Sequence, residues 1–133
     1  MESRRFKERL GDFDRALSRL TEGLTLDSDS SIVIDGCIQR FEFSYELSWN
    51  TMKAYLEDQG LLDLRTPRDV IRESYKIGLI EDGDAWLDMM ADRNLTSHVY
   101  DEIMARDIYD KIRNKHWRSL SALLERLKEV SAE

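Results

Sequence analysis

The sequence predicts an all-α protein, a four-helix up-and-down bundle with one extra short helix. In several long segments apolar residues recur at alternating steps of three and four, which is the period of an amphipathic α-helix. The chain has one proline and six well-separated glycines, so most of its length is free to be helical. No segment of useful length alternates with a period of two, and we therefore predict no sheet. The length of 133 residues suits one domain, which we expect to span residues 1–133.

The first helix is predicted from a single apolar seam. Its members are Phe6, Leu10, Phe13, Leu17, Leu20 and Leu24. Residues 27–31, Asp-Ser-Asp-Ser-Ser, then form a polar break whose last residues can cap the next helix.

The second helix is predicted from about Ser31 to Gln59, and Gly60 is its C-terminal stop. Its main seam consists of Ile34, Ile38, Phe41, Tyr45, Met52 and Leu56, with the small Ser48 at one position. A second stripe consists of Phe43, Leu47 and Ala54. An apolar face of this width indicates a helix that is central in the bundle or part of a subunit interface.

The remaining helices are predicted from their starting signals. Thr66 as cap and Pro67 at the first helical position begin a short helix that ends at Gly78. This helix carries Val70, Ile71 and Tyr75. The next helix begins near residues 82–84 and presents Trp86, Met89 and Met90. The last, long helix begins near Asp101, and its predicted inward residues are Met104, Ile108, Ile112, Leu120, Leu123, Leu127 and Val130.

Composition and charge exclude several classes of protein. The formal charge of −7 argues against a general nucleic-acid coating protein, although a small local basic site remains compatible with it. The lone Cys37 excludes an intrachain disulfide and zinc sites of the two-cysteine kind, and we treat it as a packing residue. The N-terminus lacks the features of a signal peptide and no apolar run is long enough to span a bilayer. We therefore expect a cytoplasmic protein that does not associate with membranes.

An arginine on an apolar seam is the first candidate for a functional residue. Continuing the Trp86 seam by helical steps leads to Arg93. Burying an unpaired guanidinium is strongly unfavourable, so an arginine at this position must have either a partner or a function. His98, one of two histidines, follows five residues later, and Tyr100 comes next but one. The segment can be a reactive cluster, or Arg93 can simply pair with a carboxylate in the core.

Two further groups of charged residues allow more than one interpretation. Glu42 and Glu46, four apart on the second helix, are the candidate partners of Arg93. No second carboxylate pair or histidine cluster accompanies them, so we predict no metal site and assign them to orienting Arg93. A local basic run near the C-terminus consists of Lys111, Arg113, Lys115, His116 and Arg118. This run can steer RNA or grip a partner, or it can be a solvated helix face.

The same residues resemble a known family. Arg93-x-x-x-x-His98 resembles the signature of HEPN domains, and with Tyr100 it resembles the Arg-(four to six residues)-His-x-Tyr motif of HepT toxins. Asn94 fits the polar residue that commonly follows the arginine of HEPN motifs. The segment Gln39-Arg-Phe-Glu-Phe-Ser-Tyr-Glu-Leu-Ser-Trp49 resembles the nucleotidyltransferase substrate-binding proteins, a name given to the same group. The resemblance extends over nearly the whole chain.

The resemblance implies a HEPN-like bundle that acts as a homodimeric, metal-independent ribonuclease without a cofactor. It also implies a partner, a minimal nucleotidyltransferase antitoxin that attaches AMP to the motif tyrosine, here Tyr100. The chemistry fits, because RNA carries its own nucleophile and needs only a proton acceptor, a proton donor and charge stabilisation. Histidine suits either proton role, and two copies of His98 across a dimer axis would supply both. Arg93 would grip the phosphate in a fork that lysine cannot form.

A second function is compatible with the same resemblance. The chain can be a non-enzymatic accessory subunit that binds a substrate or nucleotide for its partner transferase. A plain structural dimer is a third interpretation. The complete Arg-His-Tyr set favours the ribonuclease, because a docking subunit has no reason to place Arg93 on an apolar seam.

Overall fold

A computed structural model describes residues 2–26 and 29–132, and all regular secondary structure in these two ranges is helical, which confirms the predicted fold class. The helices are α1 (Arg4–Leu24), α2 (Ser31–Asp58), α3 (Pro67–Lys76), α4 (Gly83–Leu95), α5 (Glu102–Lys111) and α6 (Trp117–Ala132). A 3-10 turn, Thr96–His98, follows α4, and a π-helical turn, Ile112–His116, joins α5 to α6. Asp27 and Ser28 of the predicted polar break lie outside the described residues. No helix in the described part of the chain is long and apolar enough to cross a membrane.

Side-chain caps explain where the helices begin. At the start of each of the helices α1 to α5 a serine, threonine or aspartate accepts a hydrogen bond from the backbone N–H three residues later, which satisfies a donor that the helix itself leaves unpaired. The capping residues are Ser3, Ser30, Thr66, Asp82 and Asp101. Gly60 and Gly78, with φ of 91° and 78°, follow the ends of α2 and α3 in the left-handed region that favours glycine. Both glycines stop their helices as the sequence predicts.

Helix α2 lies at the centre of the bundle. It packs along α1 and also contacts α3, α5 and α6, as its wide apolar face predicts. Its seam residues Phe41, Met52 and Leu56 are fully buried among residues from every other helix. Cys37 is buried as well, and burial raises the pKa of its thiol, which agrees with a packing role. Every helix therefore contributes to one apolar core.

Two aromatic residues, one on α3 and one on α2, are exposed. Tyr75 is 55% exposed and its ring lies against Gly83, while Ser74 takes the buried position one residue earlier. The inward side of α3 runs through positions 70, 71 and 74, and the next residue already points outward. Phe43 of the second stripe is 53% exposed, because it lies about 200° around the helix from the buried Phe41.

The last predicted helix begins where expected, after Asp101, but it is not uninterrupted. Its buried residues Ile108, Ile112, His116 and Leu120 are spaced by four. In an α-helix each step of four turns about 40° beyond a full circle, so such a row drifts off the core. The wider π turn at Ile112–His116 takes up this drift. His116 is fully buried as a result.

Candidate functional site

Arg93 lies in the last turn of α4 and reaches across to α2. Its side chain is 23% exposed. Nη1 lies 3.2 Å from Glu42 Oε2, and Nε lies 3.2 Å from Glu46 Oε1. The second contact is an ion pair without the alignment of a hydrogen bond. The two glutamates predicted as partners are therefore both in contact with Arg93.

Thr96 completes this contact and was missed by sequence reasoning. Its hydroxyl oxygen accepts a hydrogen bond from Arg93 Nη1 at 3.0 Å, and its one hydrogen can be donated to Glu42 Oε2 at 2.8 Å or to the Arg93 carbonyl oxygen at 2.6 Å. Thr96 is also the C-terminal cap residue of α4, so its backbone is fixed by that helix. The spacing of three residues from Arg93, one helical turn, is the signal that could have identified it.

The guanidinium keeps hydrogen-bonding capacity for a ligand. Arginine has five N–H donors in a planar fork. In the part of the chain that the structure describes, the contacts of Arg93 use Nη1 and Nε, and Nη2 has no hydrogen-bond partner. The carboxylates of α2 thus hold Arg93 by one side and leave donors for an oxyanion on the other.

His98 and Tyr100 form a second group, which is exposed. Nδ1 of His98 lies 3.0 Å from the Tyr100 hydroxyl oxygen, and the two rings meet edge to face. His98 ends the 3-10 turn after α4, and Tyr100 follows in the segment before α5, where it is 79% exposed. When the hydroxyl donates to Nδ1, the imidazole proton is on Nε2 and faces away from the tyrosine. Both side chains can therefore be reached from solvent.

The predicted site residues are thus distributed over two neighbouring groups. Arg93 is held by Glu42 and Glu46, whereas His98 is bonded to Tyr100, and no hydrogen bond within the described ranges joins Arg93 to His98. Asn94, beside Arg93, is exposed.

A groove of about 750 Å³ borders Tyr100 between the first turns of α2 and α5. Its charged lining residues are Asp29, Asp35, Asp101, Glu102, Arg106 and Asp107. Carboxylates outnumber the cation in this lining, so this side of Tyr100 disfavours a polyanion. In the residues described, no group of three or more His, Cys, Asp or Glu side chains is arranged to hold a metal ion.

The basic run at residues 111–118, which spans the π turn, is not one solvated face. His116 is fully buried, its Nε2 lies 2.6 Å from Asp92 Oδ2, and its ring stacks on Phe41. Burial lowers the pKa of His116, and the neighbouring Asp92 partly opposes this. The solvated-face interpretation and the RNA-steering interpretation are therefore both wrong for His116. Lys111 and Lys115 remain about half exposed but pair with Asp92 and Asp88 on α4.

Comparison with known proteins agrees with the resemblance drawn from the motif. A protein of Haemophilus influenzae named probable ribonuclease HepT is 34% identical over 124 residues, covering 87% of this chain and 84% of its own length. A crystal structure from Thermus thermophilus has a TM-score of 0.80 and 35% identity, over 87% of this chain and 98% of the other. A Haemophilus influenzae structure, described as the fold of a substrate binding domain of a nucleotidyltransferase, has a TM-score of 0.79 and 34% identity, over 90% and 98%. The family described as nucleotidyltransferase substrate binding protein like matches residues 8–129. This chain belongs to that family, and a protein named probable ribonuclease HepT is among its relatives.

Proposed function

We propose that this protein is a metal-independent endoribonuclease, the toxin of a pair whose antitoxin is a minimal nucleotidyltransferase. The observation that carries the proposal is the exposed His98–Tyr100 pair, with Nδ1 and the hydroxyl 3.0 Å apart, following directly after the helix that holds Arg93. The relative named probable ribonuclease HepT supports it. The cytoplasmic location expected from the sequence suits an enzyme that acts on cellular RNA.

The reaction needs no group beyond side chains and the RNA itself. The 2′-oxygen attacks the adjacent phosphorus and loses its proton to a base, while the bond to the 5′-oxygen breaks and that oxygen takes a proton from an acid. A cyclic phosphate and a free 5′-hydroxyl result. One histidine cannot easily serve as both base and acid in one turnover. We therefore propose a homodimer in which His98 of each subunit takes one of the two roles.

Arg93 stabilises the charge that develops on the phosphate. Glu42, Glu46 and Thr96 hold its Nη1 and Nε side in place. The Nη2 hydrogens then meet a phosphate oxygen without a prior rearrangement of the side chain, which is what makes such stabilisation effective. Asn94, exposed on the next position of α4, supports the phosphate as a further donor.

The proposed control acts on Tyr100. Its exposure lets the hydroxyl enter the active site of a transferase. The tyrosine oxygen attacks the α-phosphorus of ATP, pyrophosphate leaves, and the hydroxyl proton is lost. The AMP group removes the hydroxyl from its contact with His98 and adds negative charge where the RNA phosphate binds. Each of these effects opposes cleavage.

A cleavage assay with Arg93→Lys tests the proposal. Lysine keeps the positive charge beside Glu42 and Glu46 but cannot form the fork, so the fold should persist while kcat for a fluorogenic RNA falls by about 100-fold. Wild-type protein should cleave in the presence of EDTA and should be a dimer by light scattering at micromolar concentration. Wild-type activity in Arg93→Lys would contradict the site. A monomer that cleaves RNA would contradict the two-histidine mechanism.

The accessory-subunit function is the second candidate, because a related structure is described as a substrate binding domain of a nucleotidyltransferase. It predicts that the chain binds a nucleotide or a substrate of its partner without cleaving RNA. Isothermal titration with ATP and with RNA, beside the cleavage assay, separates the two functions. Binding without any cleavage would favour the accessory subunit.

A further inference from the structure

Asp92 and His116 form a buried pair next to Arg93 and take no part in the proposed chemistry. Asp92 precedes Arg93 on α4 and is buried. Its Oδ2 is 2.6 Å from His116 Nε2, and its Oδ1 is 3.4 Å from Lys111 Nζ. Each oxygen of the carboxylate therefore has one partner, and the two partners lie at either end of the π turn.

His116 also contacts α2, at the residue next to one that holds Arg93. Its ring stacks on Phe41, with centroids 5.6 Å apart and planes 20° apart. Phe41 is followed by Glu42, whose carboxylate is 3.2 Å from Arg93 Nη1. The pair Phe41–Glu42 on α2 and the pair Asp92–Arg93 on α4 are thus joined twice, once through His116 and once directly.

These two connections fix the rotation of α4 about its own axis relative to α2. Neighbouring residues of an α-helix point about 100° apart, so a helix whose Asp92 has a fixed direction also has a fixed direction for Arg93. The ion pairs of Arg93 are partly exposed, and such contacts alone hold a long side chain weakly. The buried Asp92–His116 contact supplies the rigid reference.

The surroundings of the ring favour one form of the imidazole. Nε2 faces the carboxylate, whereas Nδ1 is buried and has no partner among the described residues. A neutral ring with its proton on Nε2 satisfies this geometry. A second proton on Nδ1 would create a buried donor without an acceptor, which is unfavourable. The charged groups around the ring are Asp92 and Asp88 from α4, together with Lys111 and Lys115 from the α5–π turn segment, while α2 contributes the apolar Phe41.

We infer that His116 is a positioning residue, which fixes the rotation of α4 through Asp92 and so places the Arg93 guanidinium for the RNA phosphate. The effect on catalysis rests on the proposed ribonuclease function. The placement of Arg93 does not, because it can be measured in the protein alone.

Two substitutions of His116 separate positioning from simple filling of space. His116→Gln puts an amide N–H near the former Nε2 and keeps the bond to Asp92. His116→Phe keeps a flat ring against Phe41 but removes that bond. Tyr109→Phe is the matched control, since Tyr109 is fully buried on α5 and its hydroxyl has no hydrogen-bond partner among the described residues. Each variant is checked for helical content by circular dichroism.

The readouts are kcat and KM on a fluorogenic RNA and the Arg93 Nε–Hε signal in a nitrogen-15 NMR spectrum. We expect His116→Phe to lower kcat at least about tenfold with little change in KM and to shift the Arg93 signal. We expect His116→Gln to stay within about threefold of wild type, and Tyr109→Phe to match wild type. Equal losses in the glutamine and phenylalanine variants, or an unshifted Arg93 signal in folded His116→Phe, would overturn the inference.

Asp92→Asn provides a second route if His116→Phe does not fold. It has the same shape and loses the charge that orients the imidazole, so the Arg93 signal should shift in the same direction with a smaller loss of kcat. An unchanged Arg93 signal in this variant would overturn the inference. If the wild-type protein cleaves no RNA, the proposed function fails, and the NMR comparison still decides whether His116 positions Arg93.

Discussion

The two histidines of this chain are each bonded to an oxygen atom, in opposite surroundings. His98 is exposed and meets the hydroxyl of the exposed Tyr100, whereas His116 is fully buried between the Asp92 carboxylate and the Phe41 ring. A ligand can reach only the first. Breaking the buried pair takes one of its two partners from the buried Asp92 carboxylate, which costs several kcal/mol, while breaking an exposed contact costs little. This difference in accessibility is why we propose a chemical role for His98 and a structural role for His116.

The largest expected effect is on activity at the exposed histidine. His98→Ala should lower RNA cleavage by at least about 100-fold, because it removes the group that transfers protons in the proposed mechanism. Its free energy of unfolding should stay within about 0.5 kcal/mol of wild type, since the side chain is exposed. Cleavage assays and urea denaturation measure the two quantities. A variant that is fully active, or one that is strongly destabilised, would break the comparison.

The buried histidine should show a large loss of stability instead. His116→Ala should lower the free energy of unfolding by about 2–4 kcal/mol, because Asp92 then keeps only the 3.4 Å contact with Lys111. Lys115→Ala, which removes an exposed ion pair with Asp88, is the control and should lower the free energy of unfolding much less. Urea denaturation followed by circular dichroism compares them, and equal losses would speak against the buried pair.

Acid should weaken the fold through the same residue. The pKa of His116 is lowered from 6.5 by burial, so the unfolded chain takes up a proton at a higher pH than the folded protein does. The contribution of neutral, buried His116 to the stability of the fold is therefore complete above pH 6.5. It is lost as the pH falls toward the lower pKa of His116 in the folded state. The loss amounts to about 1.4 kcal/mol for each unit of pKa difference. Urea denaturation from about pH 8 down to about pH 5 should show this decline in wild type, and a smaller decline in His116→Gln.

The smallest change in stability is expected at Tyr100. Tyr100→Phe removes one exposed hydroxyl and should alter the free energy of unfolding by less than about 0.5 kcal/mol. It should nevertheless abolish AMP transfer by a co-expressed partner transferase, as read by intact-mass and peptide mass spectrometry. Tyr75→Phe is the control, because Tyr75 is another strongly exposed tyrosine. AMP found on another residue, or covalent modification of Tyr100→Phe, would contradict the assignment.

Much of the fold was predictable because its signals are local. Caps such as Thr66 and Asp101, and the stops at Gly60 and Gly78, act through hydrogen bonds and backbone angles within one turn. The partners of Arg93 were predictable for a related reason. A cation on an apolar seam needs an anion, and Glu42 and Glu46, four residues apart, lie on one side of a helix.

The Asp92–His116 pair was not predictable from local signals. In sequence Asp92 precedes Arg93 and His116 follows Lys115, and nothing local marks either residue as buried. They are buried because each satisfies the other, across 24 positions of the chain. That pairing depends on how α4 lies against the π turn, which is a property of the assembled bundle. The one sequence signal of the pair is the spacing of four from Ile108 through Ile112 to Leu120, which places position 116 on the buried side of the helix.

The π turn has a consequence for how the length of this chain can vary. It contains one residue more than an α-helix needs to cover the same rotation. Deleting the exposed Asn114 would let residues 112–116 close into a regular helix while Leu120 and Leu123 still face the core. The chain can therefore lose one residue here without rebuilding the bundle, and what such a deletion would change is the position of the residue that contacts Asp92.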